Sequence, residues 1–210
     1  MALINVREVY PGVSLGLWQM DETVEELFES YSFVRCYQKV LEQFKSDARK
    51  LEFLSVHVLL RQMLSMAGCT EAQILEVGGI RHNHAGKPLL NGYHVSVSHT
   101  KGYVALMLSK TKDVAVDIEY CSNRVQRIAT KFLRKDEKAV DLDSLLIHWC
   151  SKETVYKLFS GDQLKYAEMR VRPFDVMADW VCEVENLKSH QRVNVDFELT
   201  MEFVLTYAMR

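Results

Sequence analysis

Two stretches of this sequence are periodic enough to be long helices, and each stands among short runs that read as strands. Asp47 to Ala67 carries Leu51, Leu54, Val58, Gln62 and Leu64 near one side, with Asp47 as its cap and Gly68 as its stop. Asp143 to Ser160 is the second. Two strands are expected around the Pro11-Gly12 turn, then short helices over Asp21 to Ser30 and Thr70 to Val77. Further strands are expected at His94 to Ser98, Tyr103 to Ser109 and Val114 to Glu119, with Thr100-Lys101-Gly102 as a hairpin turn. After the second helix come Glu168 to Val171, Trp180 to Glu185, Val193 to Phe197 and Leu199 to Tyr207. This order predicts an α+β fold of two packed halves, 1–112 and 113–210, each with a small antiparallel sheet and a long helix.

Composition removes several function classes. A chain of 210 residues with 48% hydrophobic content can bury a sizeable core. A formal charge of −2 gives no argument for wholesale nucleic-acid binding. The five cysteines, Cys36, Cys69, Cys121, Cys150 and Cys182, are odd in number, scattered and free of CxxC pairs, so they read as reduced thiols. The first eight residues lack the layout of a signal peptide, and no uncharged apolar run is long enough to span a bilayer. A cytoplasmic protein without a membrane partner is expected.

Two short motifs carry the chemistry. Val116-Asp117-Ile118-Glu119 ends an alternating run, so Asp117 and Glu119 share one face of a strand. Trp149-Cys150-Ser151-Lys152-Glu153 lies on the second long helix, where Glu153 and Lys157 stack at i and i+4. Three carboxylates and a lysine suit a magnesium-bound phosphate ester, because magnesium takes oxygen ligands and keeps substrate phosphates in its shell. Trp149 reads as a core residue of an amphipathic helix.

With Gly86-Lys87-Pro88 and Val95-Ser96-Val97-Ser98-His99-Thr100 preceding them, these motifs follow one another in an order that resembles the 4′-phosphopantetheinyl transferase superfamily, in its longer, monomeric Sfp type. The resemblance runs from about Asp47 to Lys165. It implies two halves related by a pseudo-twofold axis, the first on the nucleotide side of coenzyme A and the second holding the acids. It also implies transfer of the phosphopantetheine arm of coenzyme A to a serine of an apo acyl or peptidyl carrier protein, with release of 3′,5′-ADP. Asp117, Glu119 and Glu153 would then hold magnesium, with manganese as the alternative. Glu153, or a metal-bound water beside it, would be the base for the carrier serine, and Lys157 would stabilise the departing phosphate. The coenzyme A contacts would be Lys87, Ser98, His99, Lys152 and Lys157, with Arg49, His57 and Arg61 from the first long helix.

The sequence departs from that pattern at two places. His57 stands where the family carries an arginine that meets the nucleotide phosphate, which Arg49 or Arg61 would have to offset, and Ala115 stands where glycine is common. After Tyr120, Arg124, Arg127, Lys131, Arg134 and Lys138 recur at three- and four-residue steps. If helical, they form one basic stripe that would steer an acidic carrier. The competing readings are a noncatalytic module that binds coenzyme A or carrier, and a magnesium-dependent phosphohydrolase.

Overall fold

The computed structural model describes residues 3–210, so Met1 and Ala2, on which part of the N-terminal expectation falls, lie outside the described residues. The chain forms two compact units, Met1–Thr111 and Lys112–Arg210, each with its own core. Helix and antiparallel sheet are mixed in both.

The first unit begins with β1 (Leu3–Tyr10) and β2 (Val13–Gln19), joined at Pro11 and Gly12, where Gly12 takes a φ of 73°. Then come α1 (Val24–Ser30), a 3-10 turn (Ser32–Tyr37), α2 (Gln38–Leu41), α3 (Asp47–Met66) and α4 (Glu71–Val77). The strands β3 (Arg81–His82) and β4 (Pro88–Leu89) pair only with each other. β5 (His94–Thr100) and β6 (Tyr103–Ser109) complete a sheet in the order β1-β2-β6-β5. Helix α3 packs on β2 and β6 through a side that buries Leu54, Val58, Leu59 and Met63. Its cap is Ser46, whose hydroxyl accepts from the Arg49 amide at 3.3 Å. The expected cap, Asp47, sits one residue inside and pairs with Lys50 at 2.8 Å. A serine hydroxyl in extended backbone reaches the open amide, while an acid in the first turn serves the helix dipole.

The second unit holds β7 (Val114–Tyr120), α5 (Arg124–Phe132), α6 (Leu142–Leu158), a 3-10 turn (Tyr166–Glu168), β8 (Met169–Val171), β9 (Val181–Asn186), β10 (Gln191–Leu199) and β11 (Phe203–Met209). Its sheet runs β7-β11-β10-β9-β8. Helix α6 starts one residue earlier than expected, because Asp141 and Ser144 form a capping box at its entry. Leu199 belongs to β10 rather than opening β11. The Thr200 hydroxyl accepts from the amides of Glu202 and Phe203 and so fixes the turn between the strands. α6 packs on β7 and β11, pinned by Thr154, whose hydroxyl bonds Thr206 Oγ1 at 2.7 Å. No helix among the described residues is long and apolar enough to cross a membrane.

Gly16 on β2 lies close against Leu59 and Met63 of helix α3. A Cβ there would lie 2.6 Å from Met63 Sδ and 2.9 Å from Leu59 Cδ1. Gly16→Val is expected to cost about 1–3 kcal/mol by overpacking this contact. Urea unfolding checks it, and an unchanged midpoint would show that the helix can retreat without loss.

Candidate functional site

Helix α6 presents three residues at four-residue steps along one edge, Trp149, Glu153 and Lys157. Each step rises about 6 Å, so Glu153 sits midway between the other two. The outer two engage the acids of β7. Lys157 Nζ lies 2.8 Å from Asp117 Oδ1 and donates to the Val116 carbonyl at 2.9 Å. Trp149 Nε1 donates to Glu119 Oε1 at 3.1 Å. The two-residue period of β7 sends Asp117 and Glu119 to the helix side, and antiparallel pairing of β7 with β11 fixes the register. Asp117 is buried, while Glu119, Glu153 and Lys157 are half-buried.

Glu153 is held by a residue outside every sequence motif. Tyr166, in the 3-10 turn after α6, donates its hydroxyl to Glu153 Oε1 at 2.5 Å, and its ring tilts against Trp149 with centroids 5.3 Å apart. Burial raises the Glu153 carboxyl above the ordinary range. The Tyr166 bond and Lys157 oppose that shift, and Asp117 and Glu119 add to it. Burial and the contact with Glu153 push the Tyr166 phenol up, so it remains a donor at neutral pH. The buried Cys150 thiol is pushed up by burial and by Asp117 and Glu119, which leaves it unreactive. The three acids thus share one electrostatic neighbourhood. Even so, among the described residues no three His, Cys, Asp or Glu side chains are gathered so as to hold one metal ion. Each carboxylate is met by a protein donor instead.

Lys152 does not face a ligand. Its ammonium is fully buried, 2.7 Å from Glu137 Oε2 and 2.7 Å from the Phe132 carbonyl, with the Tyr166 carbonyl at 3.4 Å. One helical step from Glu153 turns it away from the reactive edge, so the expected coenzyme A contact is replaced by an internal ion pair. Trp149 packs against the core of the second unit, as expected, and its Nε1 also donates to Glu119. Neither Tyr166 nor Glu137 carried a sequence signal, because both lie in irregular segments where no period places a side chain.

In the first unit, α3 and β5 bring Arg49 and His99 together. Arg49 Nη1 lies 3.0 Å from His99 Nε2 and 2.9 Å from Glu52 Oε2, on an exposed surface. Ser98 and His99 are consecutive residues of a strand that runs on to Thr100, so they face opposite ways: Ser98 is buried and His99 exposed. Lys87 is exposed beside Gly86, in a turn whose amides donate to Asn83 Oδ1. Arg61 pairs with Glu71 and lies over the Phe33 ring. His57 is buried between Phe53 and Tyr37, with Nδ1 2.8 Å from the Phe53 carbonyl, and burial lowers its pKa. It is a core imidazole and not a surface contact for a phosphate. A cleft of about 540 Å³ lined by Val24, Phe28, Arg35, Gln38, Leu41 and Lys50 holds none of the expected contacts.

The basic stripe is shorter than its sequence spacing. Helix α5 presents Arg124, Arg127 and Lys131 on its exposed side and buries Val125 and Phe132 on the other. It ends at Phe132, so Arg134 and Lys138 lie beyond it. Arg134 is half-buried, paired with Asp136 at 2.8 Å and bonded to the Ala167 carbonyl. Lys138 is exposed.

Lys152→Met should cost about 3–5 kcal/mol, because it strands the Glu137 carboxylate in the core. Adding Glu137→Gln should recover part of that loss. Urea unfolding of the two singles and the double measures the coupling, and additive losses would show that the pair is not one unit.

Residues 113–208, a little under half of the chain, match the model of the 4′-phosphopantetheinyl transferase superfamily. No curated protein matches the chain. The matched span contains the whole α6 edge and both acids of β7, and phosphopantetheinyl transfer is the activity to which it points.

Proposed function

We propose that the protein transfers the 4′-phosphopantetheine arm of coenzyme A to a serine of an apo acyl or peptidyl carrier protein, with 3′,5′-ADP as the leaving group, and that it works as a monomer in the cytoplasm. The observation that carries this reading is the α6 edge, where Glu153 and Lys157 face the β7 acids inside the span that matches the superfamily.

The serine Oγ attacks the phosphorus bonded to the pantetheine oxygen, and the bond from that phosphorus to the ADP oxygen breaks. Glu153 takes the serine proton, since burial and two neighbouring acids make it a stronger base than an exposed carboxylate. Lys157, half-exposed at the end of the same edge, supplies positive charge for the phosphate oxygens. Magnesium, or manganese, would neutralise the pyrophosphate when bound. As they stand, the three acids are not gathered into a site for one ion among the described residues. In the first unit Arg49 and His99 are the best-placed donors for a phosphate of the nucleotide end, with Lys87 on its exposed turn.

Incubation with coenzyme A, magnesium and apo carriers tests the reading by mass. The wild type should add one phosphopantetheine group, and Lys157→Ala should slow transfer on the order of 100-fold or more. Phosphate release without mass gain would make the protein a hydrolase. Neither product would leave a binding module.

The carrier meets helix α5 in this reading. Arg127→Glu with Lys131→Glu should raise the KM for the carrier several-fold and weaken its salt dependence, with the KM for coenzyme A unchanged. Unchanged carrier kinetics would reduce the stripe to a solvated face.

A further inference from the structure

Helix α6 is enclosed on almost every side. Of its seventeen residues, Tyr156 alone is exposed, with 44% of its surface in solvent. Its place on the helix gives that exposure a meaning. Tyr156 stands one turn beyond Glu153 at i+3, beside Lys157 at i+4. At about 100° per residue, Tyr156 lies about 60° to one side of Glu153 and Lys157 about 40° to the other. The two flanks differ in chemistry. Lys157 is held by Asp117 and the Val116 carbonyl. After burial and Glu153, Tyr156 is the next group that pushes the Tyr166 phenol up, so its ring borders the aromatic pair of Tyr166 and Trp149. Glu153 thus has a charged flank and an aromatic one.

In the transfer proposed above, the attacking serine oxygen and the leaving ADP oxygen lie in line on opposite sides of the phosphorus. Glu153, as the base, marks the serine's side. A serine side chain is one carbon long, so the chain that carries it follows its oxygen to within a few ångströms of Glu153. The neighbours of that serine then meet whatever stands one turn along α6. Lys157 on one flank serves the phosphate oxygens, which leaves the aromatic flank to the carrier's own side chains. Helix α5, where the carrier docks in this reading, packs against α6 and against the turn that bears Tyr166. The basic stripe and the aromatic flank therefore belong to neighbouring elements of one unit.

We propose that the Tyr156 ring is a specificity-determining contact for the carrier, packing against an apolar side chain next to the serine that is modified. This rests on the function proposed above. Loading kinetics of the full-length protein, read by mass with coenzyme A and magnesium, test it. Tyr156→Ala should raise the KM for the carrier about tenfold and leave the KM for coenzyme A unchanged. Tyr156→Phe, which keeps the ring, should restore most of the carrier affinity. The carrier is varied as well, which leaves the enzyme intact. Replacing the apolar residues beside its serine by alanine should raise the KM with the wild type and add little with Tyr156→Ala. An unchanged carrier KM in Tyr156→Ala overturns the proposal, and so do losses that multiply independently across the two proteins. A rise in the KM for coenzyme A instead would put the ring on the pantetheine arm and overturn it too. A wild type that loads no carrier removes the transferase reading and this contact with it. Loading that ignores Tyr156 keeps that reading and removes the contact alone.

Discussion

The second unit depends on a buried ion pair. Lys152 and Glu137 have no exposed side-chain surface and lie 2.7 Å apart. Taking two charges out of water costs several kcal/mol per ion, and attraction offsets this only when every other donor and acceptor is also satisfied. Here that condition is met. The three ammonium hydrogens have three acceptors, in Glu137 and the carbonyls of Phe132 and Tyr166. Glu137 also accepts from the amides of Arg134 at 2.8 Å and Val171 at 2.7 Å. One pair therefore ties together the end of α5, the loop that follows it, the middle of α6, the 3-10 turn and the end of β8.

That tie explains how a short irregular segment can carry a side chain to a fixed place. Tyr166 has no long helix or strand of its own to hold it. Its position comes from Lys152 behind it and Trp149 beside it, and both belong to the helix whose edge it faces. Consecutive residues of α6 thus divide the work. Lys152 points into the core and fixes the frame, while Glu153 points to the acidic edge. The hundred-degree step of the helix separates the two roles.

Charge is handled differently on the exposed surfaces. Arg124, Arg127 and Lys131 leave α5 on the side opposite its buried residues. Arg49 is met by Glu52 and His99 at a surface where solvent screens the pairing. Such pairs contribute little to stability, so they can be exchanged for a ligand's charge at small cost to the fold. The buried pair cannot be exchanged in this way.

The sequence by itself determined the long helices, most of the strands, and the placing of Asp117 and Glu119 on one face with Glu153 and Lys157 on one helical edge. Those are consequences of periods of 2 and 3.6, which act over a few residues and need no distant partner. The α3 cap is Ser46 and not Asp47, and α6 starts one residue early behind Asp141, because hydroxyl or carboxylate reach decides a helix entry and no period encodes it. Tertiary structure alone decided that Lys152 is buried while Lys157, five residues on, is half-exposed. It also decided that His57 is enclosed by Phe53 and Tyr37, and that Tyr166 closes on Glu153. Each of these depends on a segment brought in from elsewhere in the chain. A lysine in a motif looks the same in sequence whether its charge meets a phosphate or a buried glutamate, and only the packing of Glu137 against α6 makes the difference.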